Sequence, residues 1–163
     1  MPTPPADPAP ASGDDLELDR FVPYRLATLA DSVSRTLAET YDARFGVSIP
    51  EWRILAHLGG GAALSAGELS TRTRMERPRV SRALRRMADK DLIERHADAD
   101  DHRYAVIRIS RSGARVYARI APLALEWERA LLAELSTDER DQLHHLLDRL
   151  ESRVARLRQV PDR

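Results

Sequence analysis

The stretch from Ser65 to Ser110 limits what this chain can fold into more than any other segment. It reads as a short helix, a turn, a second helix studded with arginine, and then two strands joined by a charged tip. Between positions 72 and 95 it carries Arg72, Arg74, Arg77, Arg79, Arg82, Arg85, Arg86, Lys90 and Arg95, opposed only by Glu76, Asp89, Asp91 and Glu94. The chain as a whole balances 26 basic against 26 acidic residues. A local excess of this size in a neutral chain implies an anionic partner at one place. A helix pair followed by a basic ribbon suits duplex DNA.

The arginine-rich helix has a clear angular pattern. Val80, Ala83, Leu84 and Met87 recur at i, i+3, i+4 and i+7, which predicts one buried face. Each residue advances about 100°, so Pro78, Arg82, Arg85 and Asp89 fall opposite that stripe, with Arg79, Ser81 and Arg86 on its flanks. Pro78 belongs in the first helical turn, where its missing N–H leaves nothing unpaired. Guanidinium groups pair bidentately with guanine O6 and N7 or hold phosphate oxygens. We therefore expect Arg77, Pro78, Arg79, Ser81, Arg82, Arg85 and Arg86 at a DNA interface. Arg79, Ser81 and Arg82 are assigned to base reading, and Arg85 and Arg86 to the backbone. Taken alone, such a face equally describes a solvated surface helix; its neighbours decide.

The preceding helix opens with a capping box, Ser65 and Glu68, and contributes Leu69 to the core, with the turn from Thr73 to Glu76. Downstream, Leu92 to His96 reads as a strand. Tyr104 to Ile109 reads as its partner, with Ala105, Ile107 and Ile109 alternating against Tyr104, Val106 and Arg108. The connecting residues Asp98 to Arg103 are charged. Arg103 fits a narrow minor groove, with Asp101 fixing its side chain.

These features together resemble the winged helix-turn-helix of the MarR (multiple antibiotic resistance regulator) family. Leu69, the VSRALRRM run, the DLIER strand start and Asp98 to Arg103 carry the resemblance. The family's D-x-R wing signature matches Asp101-His102-Arg103, with His102 where the family often has arginine, and Ile109-Ser110 leads into Ser112-Gly113. The likeness extends from about Phe21 to Leu157. It implies a homodimer that binds a pseudo-palindromic operator in double-stranded DNA, usually as a repressor released by a small ligand. It also implies a ligand site between the dimer helices and the DNA-reading lobe. Tyr24, Arg25, Trp52, Arg53 and His57 are the candidates there: Trp52 as a flat wall, the arginines for a carboxylate, with a core tryptophan and surface ion pairs as the plainer alternative. The segment IPEWRILAHL is similar to that of relatives controlling aromatic-acid catabolism, which implies an aromatic carboxylate or acyl-CoA effector.

The flanks predict helices. One is expected from about Asp19 to Arg44, with a stripe of Leu26, Leu29, Val33, Leu37 and Tyr41 and a stop at Gly46. A second starts at the Ser48–Glu51 box, carries Trp52, Ile54, Leu55 and Leu58, and stops at Gly59-Gly60-Gly61, which lacks the Lys-Ser/Thr of a phosphate loop. Two long helices close the chain. The first runs from about Ser112 to Glu134, with Pro122 inside it as a candidate kink. The second starts at the Ser136–Glu139 box and carries Leu143, Leu146, Leu147, Leu150, Val154 and Leu157. Those leucines exceed what a DNA-reading lobe needs, so helices from both chain ends are expected to pair two copies.

The expected fold is mainly α with a small β-ribbon: a winged helix-turn-helix lobe plus a helical dimerisation region from both chain ends. The divisions are 1–15, a disordered Pro-rich tail; 16–46, an N-terminal dimerisation helix; 47–110, the DNA-binding lobe; and 111–160, C-terminal dimerisation helices. Hydrophobic residues make up 42% of the chain and aromatics only 5%, which favours helices over a sandwich or barrel. Cysteine is absent, which excludes disulfides, thiolate metal sites and thiol redox sensing. No apolar run reaches a membrane-spanning ~18 residues, and no signal-peptide pattern is visible, so the cytoplasm is the expected compartment. No cofactor is expected and no enzyme, since no spaced nucleophile, metal pair or cofactor loop emerges. Two alternatives stand: a metal-responsive repressor using His144, His145, Asp141 or Asp148, although adjacent helical histidines diverge by about 100°, and a basic-helix protein-interaction module.

Overall fold

A computed structural model describes residues 16–97 and 105–158. In chain order these form α1 (Val22–Glu39), α2 (Asp42–Phe45), α3 (Ile49–Leu58), β1 (Leu64–Ser65), α4 (Ala66–Thr73), α5 (Arg77–Asp89), β2 (Ile93–Ala97), β3 (Ala105–Ile109), α6 (Arg111–Leu131) and α7 (Thr137–Leu157). The Pro-rich tail and the tip that joins β2 to β3 lie outside the described residues. The architecture is a winged helix-turn-helix lobe carried on long helices from both ends of the chain.

Local signals set most helix ends. Ser48, Ser65 and Ser136 each form a capping box with the glutamate three residues on, Glu51, Glu68 and Glu139. Reciprocal bonds of this kind satisfy two backbone donors that a helix start leaves unpaired. Gly59 caps α3, and Gly46, at φ 62°, closes α2 in the left-handed conformation that glycine tolerates. Pro122 stands inside α6 without ending it.

The first helix departs from expectation. Instead of running to Arg44 it stops at Glu39, and Thr40 Oγ1 donates to the carbonyl of Leu37 at 2.7 Å. Tyr41 leaves helical geometry at φ −132° and turns its ring inward, where it is 1% exposed and 5.6 Å from the Trp52 ring. On a continuous α1 its ring would share the stripe of Leu26 and Leu29, both of which are exposed. Burial of a large aromatic outweighs the few hydrogen bonds lost at the break.

A third strand joins the expected ribbon. β1 pairs antiparallel with β3 (Leu64 opposite Ile107, Ser65 opposite Val106), giving the order β1-β3-β2. The β2–β3 hairpin runs from Ile93 opposite Ile109 to Ala97 opposite Ala105. Its first strand starts at Ile93 rather than Leu92, because Leu92 N–H donates to Met87 O at the end of α5.

The core lies beneath the helix-turn-helix. Ile54, Leu55 and Leu58 of α3, Leu69 of α4, and Val80, Ala83, Leu84 and Met87 of α5 meet Leu64, Leu92, Ile93 and Ile107 of the sheet region. Ile120 of α6 and Tyr41 close it from outside. At the β3–α6 junction Ser110 Oγ accepts from Gly113 N–H at 2.9 Å and donates to Asp91 O. Gly113 approaches Leu92 so closely that a β-carbon there would lie 2.0 Å from the Leu92 carbonyl oxygen, so no larger residue fits.

The long helices contrast with this. α7 buries no residue and α1 buries only Ala38. Among the described residues, every exposed large apolar side chain lies at or before Leu29 or at or after Leu125. No described helix is long and apolar enough to cross a membrane.

One buried charge ties α3 to α5. Glu51 is fully buried, yet its carboxylate accepts from Lys90 Nζ at 2.9 and 3.0 Å, from Arg86 Nε at 3.3 Å, and from the Ser48 N–H at 2.8 Å. Lys90 Nζ also donates to the Gly46 carbonyl at 2.7 Å. Burial by itself would raise the Glu51 pKa; the bonds from Ser48 and Lys90 outweigh it and hold the group below its ordinary 4.5. A depressed folded-state pKa stabilises the protein above the ordinary value and loses that contribution as pH falls through the folded value. Denaturant titrations from pH 7 to pH 3 should therefore show a loss of stability below about pH 4.5 that is missing in Glu51→Gln. At pH 7 that variant should be less stable by less than the ~3–5 kcal/mol of a fully buried broken pair, because the Lys90 and Arg86 left behind still reach solvent. Parallel pH profiles for the two proteins would contradict this account.

Candidate nucleic-acid interface and effector groove

The turn between α4 and α5 is held from both sides. Arg74 caps α4 in the left-handed region at φ 54°, Met75 is buried, and Ser70 Oγ donates to the Met75 carbonyl at 2.7 Å. α5 then starts at Arg77 with Pro78 in its first turn and no acidic residue there. Its N-terminus therefore presents free N–H groups and the positive end of the helix dipole.

Burial of Val80, Ala83, Leu84 and Met87 turns the opposite face outward. Arg77, Pro78, Arg79, Ser81, Arg82, Arg85 and Arg86 are all exposed. No carboxylate among the described residues pairs with Arg77, Arg79, Arg82 or Arg85, so four guanidinium groups crowd one surface without internal neutralisation. Arg79 sits at the edge of this surface, bordering a groove of about 600 Å³ shared with Arg35, Glu39 and Asp42. Arg86 differs from its sequence assignment. Its Nε lies 3.3 Å from Glu51 Oε1 and its side chain is 48% exposed, so it is tied to a carboxylate of this chain, whereas no carboxylate among the described residues pairs with Arg85. Asp101 and Arg103, the expected wing contacts, lie outside the described residues.

The expected ligand residues are not gathered in one place. Trp52 is half-buried and lines a groove of about 430 Å³ between α1, α3 and α6, together with Val33, Leu37, Tyr117, Trp127 and Leu131. Its indole stacks on Tyr117, with centroids 6.0 Å apart and planes 22° off parallel. The Tyr117 ring lies over Gly59, where a β-carbon would meet it at 2.4 Å. Tyr24, Arg25, Arg53 and His57 do not line this groove. Tyr24 is 45% exposed, Arg25 faces a separate depression along α1, Arg53 donates to Ser34 Oγ at 3.1 Å, and His57 is exposed. Among the described residues, the one charged residue lining the groove is Glu128. Tyr117, Trp127 and Glu128 were missed by sequence reasoning, since only the packing of α6 on α3 reveals them.

Buried Glu51 was also missed as a partner of α5; its capping role was visible, its second role was not. Burial pushes the Tyr41 hydroxyl up to about 12, reinforced by Asp42 and opposed by Arg53, so it stays neutral at any physiological pH. Among the described residues no group of three His, Asp or Glu is placed to hold a metal ion.

Comparison with known proteins agrees with the geometry. A sequence model of the MarR family matches residues 45–103, which take in α3 to β2. An uncharacterised HTH-type transcriptional regulator of Mycobacterium leprae is 28% identical over 102 residues, covering 63% of this chain and 71% of that protein. The crystal structure of a MarR/EmrR family transcriptional regulator from Acinetobacter superposes with a TM-score of 0.80 at 28% identity, covering 86% of this chain and 99% of the other. A probable transcriptional regulator from Pseudomonas aeruginosa superposes at 0.72 with 27% identity, covering 82% and 99%. With the arginine-faced α5 seated on a ribbon-flanked core and flanked by long helices, the chain has a winged helix-turn-helix fold and is similar, in its reading lobe and in overall structure, to transcriptional regulators of the MarR family.

Proposed function

We propose that this regulator works as a homodimeric repressor that grips a pseudo-palindromic operator in double-stranded DNA and lets go when a small ligand enters the groove at Trp52. The unneutralised guanidinium face of α5 carries this reading. An α-helix fits the major groove, and arginine at the front of such a helix pairs with guanine edges. Arg79, Ser81 and Arg82 read bases; Arg77 and Arg85 hold phosphates, and Pro78 sets the helix start beside them. The wing sequence adds Arg103, steadied by Asp101, as a minor-groove contact.

The apolar faces of α1, α6 and α7 support pairing of two copies. Leu26, Leu29, Leu125, Leu131, Leu143, Leu146, Leu150 and Val154 are left to solvent by the single chain, and large exposed apolar patches mark interaction sites. Residues 16–46 and 111–160 would then form the dimerisation region around a reading lobe of residues 47–110. A two-fold axis through that region spaces the two α5 helices about one DNA turn, ~34 Å, apart.

For the effector, the groove favours a flat apolar molecule, neutral or positively charged, over a carboxylate. Its walls are indole and phenol faces, which attract cations, and its charged group is the Glu128 carboxylate. The arginines that the sequence offered to a carboxylate, Arg25 and Arg53, lie elsewhere.

Three measurements test these parts. Arg82→Ala should cost roughly 1–3 kcal/mol on the operator and little on random duplex, whereas Arg85→Ala should weaken both alike and lower the salt slope by about one. Equal loss from Arg82→Ala on both duplexes would remove its base-reading role. Light scattering should find a dimer in the wild type and a monomer in Leu146→Asp/Leu150→Asp; a monomeric wild type defeats the symmetric reading. In thermal-shift and tryptophan-fluorescence titrations, aromatic amines should raise the melting midpoint and quench emission more than aromatic acids of the same shape. The reverse order would return the effector to the carboxylate class.

A further inference from the structure

Lys90 is the one lysine in a chain otherwise basic through arginine alone. It sits where three oxygens converge: the Gly46 carbonyl and both oxygens of Glu51, all within 3.0 Å of Nζ. A compact ammonium can point three donors at three separated acceptors, while a planar guanidinium fork cannot. Glu51 in turn is fixed at its base. As the third residue of α3 it closes the capping box on Ser48, whose N–H and Oγ both donate to Glu51 Oε2, so one oxygen is held before α5 arrives and Oε1 is left for Lys90 and Arg86. Arg86, one helical turn before Lys90, adds its Nε to the same carboxylate. The last turn of α5 is thereby clipped to the first turn of α3.

The apolar stripe of α5 resists rotation about the helix axis, but leucine and methionine contacts are non-directional and tolerate tilt and sliding. Hydrogen bonds to a fixed carboxylate are directional and do not. A clip at the C-terminal end of α5 therefore sets the angle at which its N-terminal arginines project. A small tilt at Lys90 is displaced most at Arg77 to Arg82, at the other end of the 13-residue helix.

We propose that Glu51, acting through Lys90 and Arg86, is the positioning residue of the DNA-reading helix, and that it confers sequence discrimination without touching DNA. This rests on the reading of α5 as the recognition helix. Simple electrostatics gives the opposite sign: removing a negative charge beneath a DNA-binding face strengthens attraction to phosphates.

The test uses full-length protein, a duplex selected by the wild type from a randomised library, and a scrambled duplex of the same length and composition. Glu51→Gln, measured below its own melting range, should bind the selected duplex about tenfold or more weakly, the size of one lost base-reading pair, and the scrambled duplex unchanged or more tightly. Lys90→Met, also measured below its own melting range, should show the same loss on the selected duplex with an unchanged salt slope. Undiminished affinity of Glu51→Gln for the selected duplex overturns the proposal. So does a Lys90→Met that weakens both duplexes and lowers the salt slope by about one, since that marks a direct phosphate contact. Failure of the wild type to select any duplex would instead overturn the DNA-reading assignment of α5.

Discussion

Burial of Val80, Ala83, Leu84 and Met87 is the constraint on which the rest of this molecule depends. Those four residues are at most 2% exposed, and each larger one contributes about 1.5–3 kcal/mol by leaving water. Turning α5 by one residue, about 100°, would drive an arginine into the space they fill. An unpaired guanidinium in an apolar core costs far more than the stripe returns. The arrangement of charge on the outside is thus decided by packing on the inside. The arginines face outward together because the only side of the helix that can be buried is the one without them.

Around that constraint the lobe adds precision in small steps. The left-handed cap at Arg74 and the Ser70 bond to the Met75 carbonyl shape the turn before α5. Ser110 and Gly113 press the start of α6 against the end of that helix through Asp91 and Leu92. Glu51 supplies a directional tie at the far end. Front, back and flank of α5 are each held by a different kind of interaction, and of these the tie to Glu51 is the one made by charged, directional bonds.

Much of this was legible in the residue order, and what was not shares a cause. The three Ser-x-x-Glu boxes, the glycine stop after Leu58 and the α5 stripe rest on patterns a few residues long and appear where their spacing places them, and the described part of the hairpin starts within a residue of its expected position. The break after Glu39 was hidden because Tyr41 continues the α1 periodicity; only the presence of Trp52 below explains why the ring turns away. β1 spans two residues, too few for any alternation to register. The pairs Glu51–Lys90 and Glu51–Arg86 are 39 and 35 residues apart, and nothing local distinguishes a capping glutamate that also receives an ammonium from one that does not. The groove suffers similarly: Trp52 was identifiable as an aromatic on α3, whereas Tyr117 and Trp127 join it only through helix packing. Arg25 and Arg53 looked suitable by proximity in sequence, but their helix positions direct them to other surfaces.

The division of labour between core and flanks has an evolutionary corollary. α7 buries none of its own residues; it meets the lobe at an exposed ion pair between Arg74 and Glu151 at 3.3 Å, beside a groove that Val154 and Ala155 share with Ser70 and Met75. On the pairing proposed above, substitutions along its leucine row would alter which subunit is chosen without repacking the lobe that carries α5. After gene duplication, two such proteins would then become insulated from one another's assemblies while keeping the same α5 face, or change that face while still sharing subunits. Partner choice and target choice would be separately mutable traits.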